Sequence, residues 1–160
     1  MKHTLITLLI AGASVLPANE KVRTELITLP FLSVYDNLSY RVDGETVYLS
    51  GHVIRPTLKT DAARRVARLE GVANVVNNIE VLPLSPNDDR LRIAVARAVY
   101  GHVALNRYAL GANPSIRILV KNGNVTLEGF VAREMERNIA NIAANGVAGV
   151  FSVTNNLRIG

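Results

Sequence analysis

A repeat with one fixed offset constrains this chain more than any other feature. Sliding the 160-residue sequence along itself by 78 positions aligns Val42–Val81 with Val120–Ile159 without a gap, and 12 of the 40 pairs are identical. Among them are Val47/Val125, Leu49/Leu127, Gly51/Gly129, Val53/Val131, Gly71/Gly149, Asn77/Asn155 and Asn78/Asn156. The period is too long for a solenoid unit, which takes about 20 to 50 residues. With Pro83, Ser85 and Pro86 between the copies, the pattern reads as two small domains joined by a short linker.

Within each copy the hydrophobic period changes in the same order. Val22, Leu26 and Leu29 form a helical stripe before Pro30, and Leu91, Val95, Ala98 and Val99 form one before Gly101. Asn87 or Asp88 is expected to cap the second of these helices, and Asp88 and Asp89 suit its positive end. Alternation then marks a strand at Leu38, Tyr40 and Val42, matched by Ile116, Ile118 and Val120. Asp43-Gly44 and Asn122-Gly123 reverse the chain into a second strand, and their glycines sit one place apart in the alignment, which leaves room for different turn types. A second helix carries Ala62, Val66 and Leu69 or Ala140, Ala144 and Val147; Gly71 or Gly149 ends it. A third strand, Val75 to Val81 or Val153 to Ile159, closes the unit.

The expected fold class is therefore α+β: two tandem αββαβ domains, each a three-stranded sheet with two helices on one face. A helix joining strands two and three predicts a right-handed crossover with those strands parallel. Gly51 and Gly129 fall on the inward face in mid-strand, where a missing side chain is expected to admit a helix.

These residues resemble the BON family, named for bacterial OsmY and nodulation proteins. Val47-Tyr48-Leu49-Ser50-Gly51-His52-Val53 and the run Gly71–Val81 carry the resemblance in one copy; Val125–Val131 and Gly149–Ile159 carry it in the other. The resemblance implies an αββαβ fold, no enzymatic activity, no cofactor, and a periplasmic envelope role like that of OsmY. Its relatives are induced by osmotic stress or bind anionic phospholipid. The absence of any Cys excludes acylation, so the expected protein is not a lipoprotein. Pro30 breaks the short first helix of copy one, which departs from the family pattern.

Met1-Lys2-His3 followed by the 13 apolar or small residues Thr4–Leu16 reads as a secretory signal, too short to span a bilayer. The expected organisation is a signal peptide at 1–18, a first domain at 19–83 and a second at 84–160. Cleavage after Ala18 and a site near Ala11 and Ala13 both remain open.

The site motifs of enzymes are missing from the sequence. The three His stand in no metal-ligand spacing, and neither a nucleophile elbow nor a phosphate loop occurs. His52 reads as a solvated strand residue, and Glu134 and Glu136 as helix-start residues rather than a catalytic pair.

The +5 net charge is unevenly placed. Residues 19–83 hold eight Lys/Arg and eight Asp/Glu, whereas 84–160 hold nine and five, a surplus of four. On a helical wheel Arg90, Ile93, Arg97 and Tyr100 lie opposite the core stripe. Cations beside apolar groups suit an anionic phospholipid surface, so these four are the candidate lipid-binding residues. The competing readings are a solvated face with Ile93 and Tyr100 packed on the first copy or on the loop Ala104–Ala112, and a chaperone-like module that meets envelope or unfolded proteins. Export and 5% aromatic content argue against nucleic acid, and no small-molecule substrate is expected. Leu105, Tyr108 and Leu110 in the long loop Gly101–Ser115 are expected to tie that loop to a core.

Overall fold

The structure, a computed structural model, describes residues 17–160. The expected signal segment lies, but for Pro17 and Ala18, outside the described residues. The first copy runs α1 (Ala18–Ile27), β1 (Asn37–Asp43), β2 (Thr46–Val53), α2 (Pro56–Ala67) and β3 (Asn74–Val81). The second runs α3 (Pro86–Tyr100), a 3-10 turn at Asn106–Ala109, β4 (Ile116–Lys121), β5 (Asn124–Val131), α4 (Glu134–Asn145), β6 (Ser152–Asn155) and β7 (Arg158–Ile159).

Each sheet has the expected topology. β1 and β4 run antiparallel to β2 and β5, while β3 and β6 run parallel to them. The crossover helix explains the parallel pair, since only a long connection returns a chain to the same end of a sheet. β7 extends the β5 pairing after a break at Asn156–Leu157, so the third strand of the second copy is interrupted where a continuous one was expected.

The helical stripes and inward strand residues meet in two separate cores. One gathers Val22, Leu26, Val47, Leu49, Leu58 and Val66; the other gathers Leu91, Val95, Val99, Ile118, Leu127 and Ala140. Each buried aliphatic side chain contributes about 1.5–3 kcal/mol, and in units this small those contributions hold the helices to the sheet.

Local chemistry sets the element ends. Proline opens both α2 and α3 at the first helical position, where its fixed φ helps and its missing N–H costs nothing. Ser85, rather than Asn87 or Asp88, caps α3: its Oγ accepts the Asp88 N–H at 3.2 Å. The hairpins differ, with positive φ at Gly44 alone in the first and at both Asn122 and Gly123 in the second, the patterns of type II′ and type I′ turns. Gly71 and Gly149 stand four residues past the helix ends, in the loops that lead to β3 and β6.

Gly51 and Gly129 correct an expectation. Both adopt positive φ, +113° and +111°, and a Cβ there would sit 2.0 Å from the Asn37 carbonyl oxygen or 1.8 Å from that of Ser115. The missing side chain admits the backbone entering the neighbouring strand, not a helix.

The copies are joined by more than the linker. Ile118 N–H donates to Val34 O at 2.8 Å, so the loop before β1 adds a strand-like contact to the edge of β4. Arg117 Nη1 donates to Ser33 O at 2.8 Å, and the Tyr35 ring packs against the second core. Asp36, 1% exposed, fixes this loop: Oδ2 accepts from Ser33 N–H and Oγ, and Oδ1 from Ile54 N–H.

Candidate functional site

Helix α3 is held firmly from beneath. Leu91, Val95 and Val99 enter the core, and Arg92, only 3% exposed, donates to Val120 O at 2.7 Å and to Asp89 Oδ1 at 2.5 Å. Asp88 is buried as well, and its carboxylate accepts the N–H groups of Asn122 and Gly123 at 2.8 and 2.9 Å. A carboxylate at a helix N-terminus that also satisfies two turn amides locks α3 to the β4–β5 hairpin. The outward residues of α3 are thereby presented on a rigid support.

Of the four candidate residues, three share the exposed face. Arg90 and Arg97 lie seven places, almost two full turns, apart, with Ile93, 55% exposed, between them. Arg90 is steadied by Asn87 Oδ1 at 2.6 Å. Tyr100 departs from that face: it is half-buried against the second core, and its hydroxyl donates to Ile116 O. A wheel treats a helix as endless, but Tyr100 is its last residue, and its ring reaches past the helix end toward β4. Burial pushes its phenol up to about 12, with Arg117 opposing and Tyr35 adding to the rise.

Much of the second copy's positive charge is engaged elsewhere. Arg107 pairs with Glu136 at 2.5 Å, Arg137 with Glu134 at 3.1 Å, and Lys121 with Glu80 of the first copy. Glu80 also lies 3.3 Å from His52 Nε2, so His52 is a half-exposed partner of an ion pair between the copies, not a freely solvated residue. The Lys121 hydrogen bond and charge hold the Glu80 carboxyl below the usual range.

Glu136 is a structural anchor that the sequence pattern identified only as a helix-start residue. Its carboxylate accepts from Tyr108 Oη at 2.6 Å, Arg107 and the Arg133 N–H, half of a capping box. Tyr108 Oη also accepts the Ala132 N–H at 2.8 Å. The Tyr108 hydrogen bond above all, helped by the Arg107 charge, overcomes burial and lowers the Glu136 pKa. In the same loop Leu105 is fully buried as expected, whereas Leu110 is 75% exposed. Sequence reasoning missed Tyr35 and Arg117, because nothing in the irregular nine-residue loop between α1 and β1 announces a partner 84 positions away.

Among the described residues, no helix is long and apolar enough to cross a membrane. The family model described as BON domain matches residues 17–83 and 94–160. Its second match begins inside α3, so Arg90 and Ile93 precede it. No curated protein matches the chain. Among solved structures, the C-terminal domain of CdsD, a structural protein of the type III secretion system of Chlamydia trachomatis, is 14% identical over 88% of this chain and 96% of that one, with a TM-score of 0.30. A second CdsD structure is 12% identical over 89% and 92%, with a TM-score of 0.33. Likeness at that level carries nothing further to this chain. BON domains occur in periplasmic and envelope proteins. Two tandem matches, each laid on an αββαβ unit, make this chain a member of the BON domain family.

Proposed function

We propose that this protein is a non-enzymatic periplasmic envelope protein, exported with its leader removed, whose second copy docks on anionic phospholipid through α3. The observation that carries the reading is the exposed set Arg90, Ile93 and Arg97 on a helix anchored from below by Asp88 and Arg92. Guanidinium groups meet phosphate headgroups, and Ile93 enters the interfacial layer between them. Tyr100 contributes by tying the end of α3 to the start of β4, not by touching lipid.

Each basic residue near such a surface is worth about 1 kcal/mol, so two give weak docking that salt screens. Co-sedimentation with vesicles tests it. The protein pellets with phosphatidylglycerol at low salt, not with phosphatidylcholine, and Arg90→Glu with Arg97→Glu, which not only removes two cations but adds two anions, reduces binding by at least about thirtyfold. Equal pelleting of the double variant, or none by the parent protein, would overturn the reading.

A further inference from the structure

A cleft between the two copies has the composition of a ligand site. Two adjoining cavities of about 430 and 340 Å³ share the lining residues Arg23, Ile27, Asn37, Leu38, Arg117 and Phe130. One wall is α1 and the outer edge of β1; the other is the start of β4 and the end of β5. Pockets of about 300–1,000 Å³, mainly apolar with a few converging polar groups, are where proteins hold small molecules.

Three of the five charged side chains in the lining are cationic. Arg23, Arg117 and Arg158 line the cleft, and among the described residues no carboxylate holds any of them at close range. Arg23 meets Glu20 only at 3.9 Å, Arg117 donates to the Ser33 carbonyl, and Arg158 stacks 4.5 Å over the Phe130 ring. The two acids in the lining are already engaged: Asp36 accepts three hydrogen bonds and Glu128 accepts from Asn156 at 2.8 Å. Ser115 Oγ, in the same wall, is buried and without a hydrogen-bond partner among the described residues. Leu26, Ile27, Leu38 and the half-exposed Phe130 supply the apolar surface.

We propose that this cleft binds a small amphiphilic anion, a carboxylate or phosphate head on a single short apolar body. The head takes the guanidinium forks, which match both oxyanions in a bidentate manner, and the body lies along Ile27, Leu38 and Phe130. The site uses neither Arg90 nor Arg97 and stands apart from membrane docking on α3.

Calorimetric titration of the whole protein with octanoate, octyl phosphate and octanol tests the assignment. One or both anions bind with one-to-one stoichiometry while octanol does not, and whichever binds identifies the head. Arg158→Gln and Arg23→Gln, both exposed rim changes, each weaken binding about tenfold, and Arg90→Glu with Arg97→Glu leaves it unchanged. Arg117→Gln gives a larger loss but also cuts the tie to Ser33, so the rim variants decide. Silence with both anions, equal binding of octanol, or full binding by the two rim variants would overturn the proposal.

Discussion

Tyr108 and Glu136 form the most fully partnered polar group in the second copy, and one hydroxyl carries much of it. Tyr108 Oη gives its proton to Glu136 and accepts from Ala132 N–H and Arg107. Losing that hydroxyl leaves a buried carboxylate and a backbone amide short of a partner, so Tyr108→Phe destabilises the fold by about 1–3 kcal/mol at neutral pH. The pH dependence follows from the lowered Glu136 pKa. The unfolded chain binds a proton first, so this stabilisation is complete above the ordinary carboxylate range and disappears as pH falls through the folded value. Denaturant midpoints measured from pH 7 down to pH 2 decline steeply in the parent protein and less so in Tyr108→Phe. An unchanged slope in the variant would assign the acid sensitivity to other carboxylates.

At the scale of elements, the glycines separate two kinds of cost. Gly44→Ala strains only φ, because its added Cβ meets nothing within 4 Å, and it costs about 1–2 kcal/mol. Gly129→Ala carries similar strain and drives Cβ into the Ser115 carbonyl, so β4 and β5 must separate locally and the cost rises to about 3 kcal/mol or more. Thermal unfolding of the two variants ranks them, and equal losses would mean the strands adjust freely. The order αββαβ was legible in the sequence because the period changes from 3.6 to 2 at the same aligned places in both copies. Room for two different turns was legible in the one-place shift between Gly44 and Gly123, but which turn each copy takes was not. The role of Gly129 was not, since a mid-strand glycine suits approach by a helix or by a neighbouring backbone, and only φ tells them apart. Asn77 and Asn155 stood out as identities but not as ties. Their side-chain amides donate to Lys59 O and Arg137 O, aligned carbonyls in α2 and α4, at 2.9 and 2.8 Å.

In the whole molecule the two copies are unequal partners. The loop ending at Asp36 belongs to the first by sequence, yet Val34 O accepts a hydrogen bond from the β4 edge of the second sheet and Tyr35 covers the second core. Tyr35→Ala therefore destabilises the second copy by about 2 kcal/mol, read as faster hydrogen exchange at Ile118, whose amide is bonded to Val34. Exchange accelerated only within the first copy would contradict this. Alkali acts at the same joint, because burial raises the phenols of Tyr35 and Tyr100, the latter to about 12. The unfolded chain releases those protons first, so stability falls as pH climbs from the ordinary phenol value of 10 toward 12, and Tyr35→Phe shrinks that fall.

The contact at Val34 also bears on where the chain can be divided. A cut between Pro83 and Leu84 respects the duplication but leaves the C-terminal fragment without the Val34 bond on its β4 edge and without Tyr35 on its core. Adding the N-terminal fragment returns both contacts, so the expected outcome is that it slows hydrogen exchange at Ile118 of the C-terminal fragment; no slowing would mean the contacts are too weak to act without the linker. The duplicated units are no longer interchangeable cassettes; the second is finished by a piece of the first.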